Sequence, residues 1–289
     1  MAAVDLWAPS AEASLHLAAY DGPDDGPAVV VLHGLVAGVD VLRDAVRGFD
    51  PFAELAAQGC HVLALDWPGH GRSGGRRGRL TYRGAMEAAA AAVAVARERW
   101  GDPVGLFGTG LGGALAFYAA LERVGVGAVA CHDVLDLRDV RAVLQRWRQG
   151  AVLPLAAALT RLAGREALAR IDVPASLVLA PSDMAADPSL SRALRRHPQS
   201  VRRYDLEGLA SILLTPEDKP DIAAQTVPTL LAVGSEDRVL PQTTTRAFSS
   251  RLTCPHELWV LPGAGHQLLL EHPRALLPTV ARFLRDALA

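Results

Sequence analysis

The strongest constraint on the fold is a glycine-rich turn near the middle of the chain. An apolar run at residues 104–108 ends there, and an alanine-rich helical pattern follows at residues 111–123. Gly108, Gly110 and Gly112 occupy alternate positions across the junction. Because glycine accepts backbone conformations that other residues avoid, this pattern predicts a buried strand that turns sharply into a helix.

Most of the chain alternates short apolar runs with helical patterns, which predicts an α/β fold with a mainly parallel sheet and helices on both faces. We expect strands near residues 28–33, 60–66, 104–108, 125–132, 227–234 and 257–261. The alternation lapses in an arginine-rich, proline-punctuated stretch with one strand-like piece at residues 176–180. The sequence therefore predicts one core from residues 1–135 and 226–289, with a helical cap inserted at residues 136–225 over the carboxyl ends of the strands.

Composition narrows the class of protein. A formal net charge of −2 over 289 residues provides no field that would attract nucleic acid or an anionic membrane surface. The longest apolar run, residues 88–96, is too short for stable membrane insertion. The first residues lack a signal-peptide pattern, and the three cysteines have no metal-ligand spacing, so we expect a cytoplasmic protein without a metal. The oligomeric state stays open.

Two backbone amides are candidates for an oxyanion hole. His33, Gly34 and Leu35 follow the first buried strand, and Leu111 follows the central turn position. The amides of Leu35 and Leu111 would donate to an oxygen that becomes negative during acyl transfer. Backbone donors require no particular side chain, so this role depends only on the path of the chain.

An acid and a histidine follow two later strands. Asp237 lies in the run Gly-Ser-Glu-Asp, and His266 in the run Gly-Ala-Gly-His. Their order matches an acid–base pair in which the carboxylate orients the imidazole and stabilises its charged form. Asp183 competes as the acid, but it falls in the inserted stretch, so Asp237 is favoured.

These motifs together resemble the α/β-hydrolase superfamily, in particular its monoacylglycerol lipase and lysophospholipase branch (serine aminopeptidase S33-like). The residues that carry the resemblance are His33-Gly34, the loop at residues 66–78, the run ending at Asp237 and the run from Gly265 to Glu271. The resemblance implies an α/β-hydrolase fold with a cap and no cofactor. It also implies hydrolysis of a small, often lipid-like ester through an acyl-serine at the position of residue 110.

Position 110 departs from that pattern because it is glycine, which has no hydroxyl to form an acyl-enzyme. Three interpretations remain. His266 and Asp237 perform general-base chemistry beside the oxyanion hole, in a direct hydrolysis or a lyase or isomerase step. Alternatively, the chain is an esterase inactivated by exchange of serine for glycine. In the third interpretation it is a non-catalytic ligand-binding module.

The same turn also fits a nucleotide-binding pattern. Gly108, Gly110 and Gly113 satisfy Gly-x-Gly-x-x-Gly between a strand and a helix, and Asp133 lies about twenty residues further on, where an NAD(P)-binding protein has its ribose-binding acid. This interpretation leaves the His-Gly, Asp237 and His266 signals unexplained, and we keep it as a remote alternative.

A basic cluster lies within the predicted cap and consists of Arg192, Arg195, Arg196, Arg202 and Arg203. A solvated helix face is the commoner origin of such a cluster. The alternative is a site for a phosphate or carboxylate on a substrate.

Overall fold

A computed structural model of the chain describes residues 3–122, 124–139, 158, 168, 171–177, 179–180 and 182–289. Ten strands are defined among these residues: β1 (Val4–Pro9), β2 (Ser14–Tyr20), β3 (Ala28–Leu32), β4 (His61–Leu65), β5 (Val104–Thr109), β6 (Ala128–His132), β7 (Asp172–Pro174), β8 (Arg203–Asp205), β9 (Thr229–Gly234) and β10 (His256–Leu261).

Nine α-helices lie in the same part of the chain: α1 (Val39–Asp44), α2 (Pro51–Ala57), α3 (Tyr82–Trp100), α4 (Leu111–Leu121), α5 (Pro188–Arg196), α6 (Leu206–Leu213), α7 (Gln242–Ser249), α8 (Leu268–Glu271) and α9 (Pro273–Leu288). None of these helices combines the length and apolar character needed to cross a bilayer.

Eight strands form one sheet in the order β1-β2-β4-β3-β5-β6-β9-β10. The pairs from β4 through β10 are parallel, and the two pairs that β2 forms near one edge, with β1 and with β4, are antiparallel. The predicted mainly parallel α/β sheet is therefore confirmed. The strands β1 and β2 were not predicted, because β1 is largely exposed and the polar residues Asp5 and His16 interrupt the apolar runs of the two strands.

The centre of the sheet is packed tightly against the helix that follows β5. Every residue of β5 is buried, as are ten consecutive residues of α4. A Cβ on Gly108 would lie 2.1 Å from the carbonyl oxygen of Gly112, and one on Gly112 would lie 2.3 Å from that of Leu32. These glycines therefore let the start of α4 rest directly on the backbones of β5 and β3.

In the predicted cap, the described residues form a small second sheet and two α-helices. β7 and β8 pair antiparallel, and α5 and α6 flank β8 in the chain. Within the predicted cap, residues 140–157, 159–167, 169–170, 178 and 181 lie outside the described residues. The division into core and cap stays a prediction.

The predicted strand at residues 176–180 is wrong in its described part. Residues 175–177 form a 3₁₀ helix, with the amide of Leu179 donating to the carbonyl of Ala175. β7 ends just before it at Pro174, whose ring nitrogen has no hydrogen to extend a ladder.

Candidate active site

Residue 110 occupies a sharp turn between β5 and α4. Gly110 has φ 58° and ψ −130°, a conformation that strains residues with a side chain. Its amide donates to the carbonyl of His132 at 3.0 Å, and its carbonyl accepts from the amide of Gly113 at 2.9 Å. A Cβ built on Gly110 would have one neighbour within 4 Å, the Cα of Gly34 at 3.5 Å. The turn thus has room for a side chain although it carries none.

The loop after β3 is held so that the Leu35 amide faces away from the core. Nδ1 of His33 donates to the carbonyl oxygen of Gly34 at 2.8 Å, and Nε2 accepts from the amide of Trp67 at 3.3 Å. Burial lowers the pKa of His33, which keeps the ring neutral, as this donor–acceptor pattern requires. Because C=O and N–H point in opposite directions across a trans peptide, fixing the Gly34 carbonyl turns the Leu35 N–H the other way.

Neither predicted oxyanion donor is consumed by another hydrogen bond in the described chain. The amides of Leu35 and Leu111 have no acceptor there, and both residues line the same cavity as Gly110. Leu111 is the first residue of α4, where backbone N–H groups lack helical partners. The next loop residue, Val36, has φ 69° and donates its amide to the hydroxyl of Tyr204 at 2.6 Å. β8 of the inserted stretch therefore helps to fix the loop.

Asp237 and His266 lie on two neighbouring loops that hold each other in place. They follow β9 and β10, which pair in parallel, and the amide of Glu236 donates to the carbonyl of Ala264 at 2.9 Å. Nδ1 of His266 donates to Oδ2 of Asp237 at 2.9 Å. Oδ1 of Asp237 accepts from the amides of Val239 and Leu240 at 2.7 and 2.8 Å. Both carboxylate oxygens are thus used to orient the imidazole.

A second carboxyl group meets the same ring nitrogen. Oδ2 of Asp133 lies 3.0 Å from Nδ1 of His266, and the side chain of Asp133 is completely buried. The residue has φ 65° at the end of β6, and its amide donates to the carbonyl of Ala232 on β9. Neither Asp133 oxygen meets hydrogen-bond geometry with another group in the described part of the chain. Strained backbone and an unsatisfied buried acid are typical of functional rather than merely structural positions.

The three groups shift one another's protonation. Burial raises the pKa of Asp133 to about 7. Burial alone would lower the pKa of His266, but the charges and hydrogen bonds of Asp133 and Asp237 raise it well above its usual range. Burial opposes ionisation of Asp237, yet its hydrogen bond and attraction to His266 hold the pKa of that carboxyl below its usual range. The arrangement thus stabilises a charged imidazolium over one firmly ionised carboxylate.

His132 is a further polar neighbour that the sequence did not single out. Its ring centroid lies 6.2 Å from that of His266, and Nε2 is 3.2 Å from Oδ2 of Asp133. Among the described residues, neither ring nitrogen has a partner with hydrogen-bond geometry. Burial lowers the pKa of His132 to about 3, so the ring is neutral and adds no positive charge to the cluster.

The ring of His266, Gly110 and the two candidate oxyanion donors line one largely apolar cavity. Its volume is about 80 Å³, room for several water molecules. It is lined by Gly34, Leu35, Ala37, Leu42, Thr109, Gly110, Leu111, His132, Leu135, Leu179, Met184, Val239, Leu240, His266 and Gln267. Since Nδ1 of His266 faces the two carboxyl groups, Nε2 is the nitrogen left for this cavity.

The structure thus brings together Gly110, His266 and the amides of Leu35 and Leu111, with Asp237 behind the imidazole. Asp133 was considered from the sequence only as a ribose-binding acid, and its carboxyl group instead lies buried against His266. Its position directly after β6 was the one indication in the sequence that Asp133 could lie near the site, because β6 lies between β5 and β9 in the sheet. Asp183, the competing acid, forms a hydrogen bond with the neighbouring Ser182.

The described residues contain one cluster with the spacing of metal ligands. One ligand atom each from Asp133, Asp237 and His266 lies within 4.8 Å of the others. Nδ1 of His266 carries the hydrogen that it donates to Asp237, and a metal ion at Nδ1 would have to displace that proton. The hydrogen-bonded arrangement is complete for the pair of Asp237 and His266 without an ion.

The sheet order and the position of the site define an α/β-hydrolase fold, which comparison with solved structures supports. A monoacylglycerol lipase from Paleococcus ferrophilus matches with a TM-score of 0.73 and 22% identity, over 94% of this chain and 99% of the other. A soluble variant of monoglyceride lipase from Saccharomyces cerevisiae, in complex with a substrate analogue, matches with a TM-score of 0.78 and 12% identity, over 100% and 97%. An enol-lactonase from Burkholderia xenovorans matches with a TM-score of 0.65 and 21% identity, over 96% and 99%.

The family follows from the sequence match. The family model described as serine aminopeptidase, S33 covers residues 25–273, most of the chain. The chain belongs to this hydrolase family, and the predicted membership of the α/β-hydrolase superfamily is confirmed.

Proposed function

We propose that the protein hydrolyses a small ester-like substrate directly, with His266 as general base and without an acyl-enzyme. The observation that carries the proposal is the cavity shared by Gly110, His266 and the amides of Leu35 and Leu111, which have no acceptor among the described residues. At position 110 the absence of a side chain leaves the space above the turn to a water molecule. The hydrogen bond from Nδ1 of His266 to Asp237 leaves Nε2 as the ring nitrogen available to that water.

The proposed steps conserve protons and bonds. Nε2 of His266 takes a proton from the water, and the oxygen of that water bonds to the substrate carbonyl carbon. The negative oxygen that results accepts hydrogen bonds from the amides of Leu35 and Leu111. When the carbon–oxygen bond to the leaving group breaks, the imidazolium returns the proton to the alkoxide, giving an acid and an alcohol.

The second carboxyl group supports this assignment. A water molecule is a weaker nucleophile than an activated serine, so a stronger base helps the reaction at a pH high enough for its ring to be neutral. The combined influence of Asp133 and Asp237 raises the pKa of His266 well above its usual range. The same influence stabilises the imidazolium that forms in the transition state.

We expect the purified protein to hydrolyse short-chain nitrophenyl esters slowly and to keep this activity after treatment with a fluorophosphonate. With base, oxyanion hole and binding but no nucleophile, a rate about 10³–10⁴ above water is expected. His266→Ala should reduce that rate by about 10²-fold or more, because proton transfer to a positioned base is lost. The measurement is steady-state hydrolysis with and without the inhibitor, which also removes contaminating serine esterases.

Two results would contradict the proposal. Loss of the activity on fluorophosphonate treatment would assign it to a contaminant, and equal rates in the protein and its His266→Ala variant would exclude the proposed base. Ester binding without turnover would instead favour the ligand-binding interpretation. Binding of NAD or NADP, followed by quenching of tryptophan fluorescence, would favour the nucleotide-binding one.

A further inference from the structure

A second pocket adjoins the candidate active site and carries a concentration of positive charge. Its volume is about 440 Å³. Four exposed arginines line it, three from α5 and one from the segment just before β8: Arg192, Arg195, Arg196 and Arg202. We call this cavity the arginine pocket. Arg203, the fifth arginine of the cluster noted in the sequence, instead donates to the carbonyl of Asp172.

The arginine pocket and the candidate active site share walls. Leu179 and Met184 line both cavities. Val36, which lines the arginine pocket, follows Leu35, whose amide is a proposed oxyanion donor. The two cavities are therefore neighbours, and a ligand that extends past Leu179 and Met184 would place one end beside Gly110 and the other among the arginines.

The charges of the arginine pocket are not neutralised by the described chain. None of its four arginines lies within 4.0 Å of a carboxylate there, whereas Arg76 and Arg79 on the nearby surface both pair with Asp205. The Nε of Arg195 donates only to the carbonyl of Ser191 within the same helix. Asp187 at the start of α5 is close enough to feel Arg192, but it forms no ion pair with it.

Four like charges around one pocket repel each other, and an anion would relieve that repulsion. Guanidinium groups bind phosphate and carboxylate oxygens through paired hydrogen bonds, which are stronger than neutral ones. The apolar walls that Val36, Leu179 and Met184 provide would suit a short hydrocarbon linker between the anion and the reacting group.

We propose that the arginine pocket binds the anionic group, a phosphate or carboxylate, of the small acyl compound that the candidate active site processes. This inference rests on the proposed function and specifies the class of substrate. The inner cavity, at about 80 Å³, accepts a short acyl group, and the larger arginine pocket accepts the charged remainder.

The test measures binding rather than turnover, so that it does not depend on catalysis. Calorimetric titrations compare hexyl phosphate, hexanoate and uncharged hexanol against the full chain. We expect the preferred anion to bind at least about tenfold more tightly than hexanol, since charge-assisted hydrogen bonds are added. Comparing hexyl phosphate with hexanoate tells which anion the pocket prefers, and the preference should weaken as salt is added.

Two double variants test whether the arginine pocket causes the preference for the anion. Arg195→Ala/Arg196→Ala should remove most of the preference for the anion, whereas the charge-matched Arg83→Ala/Arg246→Ala should keep it, because those two exposed arginines line neither cavity. Thermal unfolding of both double variants checks that they are folded. Absence of nitrophenyl butyrate hydrolysis by the unaltered protein would count against the proposed function, whereas the binding comparison of the two double variants needs no turnover and tests the arginine pocket alone.

Three results would overturn the inference. The first is binding of the anions no tighter than that of hexanol, including no binding of any of the three. The second is an equal loss of anion preference in the control variant. The third is arginine-dependent sedimentation with phosphatidylglycerol vesicles without a preference for the free anions, which would make α5 a membrane-contacting surface.

Discussion

Replacing Gly110 by serine is expected to produce an esterase that forms an acyl-enzyme. A Cβ at this position has only the Cα of Gly34 within 4 Å, at 3.5 Å, so the new side chain fits. Its hydroxyl would enter the cavity shared with His266 and the amides of Leu35 and Leu111. Loss of the nucleophile of a serine triad typically lowers kcat by about 10⁶, of which we expect the variant to recover at least about 10³.

The measurement is hydrolysis of nitrophenyl butyrate together with covalent labelling by a fluorophosphonate, followed by mass spectrometry at position 110. The variant should be less stable by about 1–3 kcal/mol, because φ at position 110 is 58° and serine is strained there. Gly263→Ser is a matched control, since Gly263 has φ 70°, nothing within 4 Å of its Cβ and no place in the cavity. The control should show similar strain and no labelling.

A folded Gly110→Ser protein that neither hydrolyses the ester nor reacts with the fluorophosphonate would contradict the assignment of position 110 and of its base. Equal labelling of the Gly263→Ser control would show that the reaction does not depend on the site.

In the Gly110→Ser background, exchange of the two acids is expected to have very different effects. Asp237→Asn should lower kcat by about 10³–10⁴, because the amide no longer holds the imidazole in the tautomer and orientation that the reaction needs. The amides of Val239 and Leu240 fix the orientation of the side chain at position 237. The substituted amide group therefore stays beside the imidazole, and the loss of kcat is expected to be large. Asp133→Asn should lower the maximal kcat by less than about tenfold, because Asp237 alone still orients His266.

The pH dependence distinguishes positioning from charge. Activity requires neutral His266, so it rises with pH through the pKa of that ring. Asp133 contributes to holding this pKa well above its usual range, so Asp133→Asn should move the rising limb of kcat/KM to lower pH. Asp44→Asn is a suitable control because Asp44, an exposed residue beside His197, lines no part of the cavity. An unchanged limb in Asp133→Asn would show that Asp133 does not affect the base.

Stability should respond to the same cluster. The pKa of Asp133 is about 7 in the folded protein, above its unfolded value, so the folded state holds this proton more firmly. Its contribution to the free energy of unfolding is fully present at low pH, below the unfolded pKa, and declines as pH rises through about 7. Asp133→Asn should flatten this part of the stability–pH curve, which denaturant unfolding across that range measures.

The sequence predicted those features that depend on local pattern. The parallel strands, the turn at Gly110 and the placement of Asp237 and His266 after successive strands all follow from short motifs with known geometry. The proximity of Asp133 to His266 depends instead on β6 lying next to β9 and on a positive φ at Asp133, which no local pattern indicates.

Other features that depend on contacts between residues far apart in the chain could not be predicted either, because no local pattern indicates such contacts. The edge strand β1 is set by its pairing with β2 rather than by its own apolar content. The arginine cluster was visible in the sequence. Its two interpretations, a solvated helix face and an anion site, differ only in whether the arginines lie near the candidate active site. The shared walls at Leu179 and Met184 bring it to the candidate active site.

The bond between Tyr204 and the Val36 amide ties two parts of the molecule that are 168 positions apart along the chain. Tyr204 belongs to β8, while Val36 follows Leu35, whose amide is expected to stabilise negative charge on the substrate. A displacement of β8 must therefore either break this hydrogen bond or change the position of that amide. The position of β8 and that of the amide are consequently coupled, so a ligand or substitution that moves one is expected to shift the other.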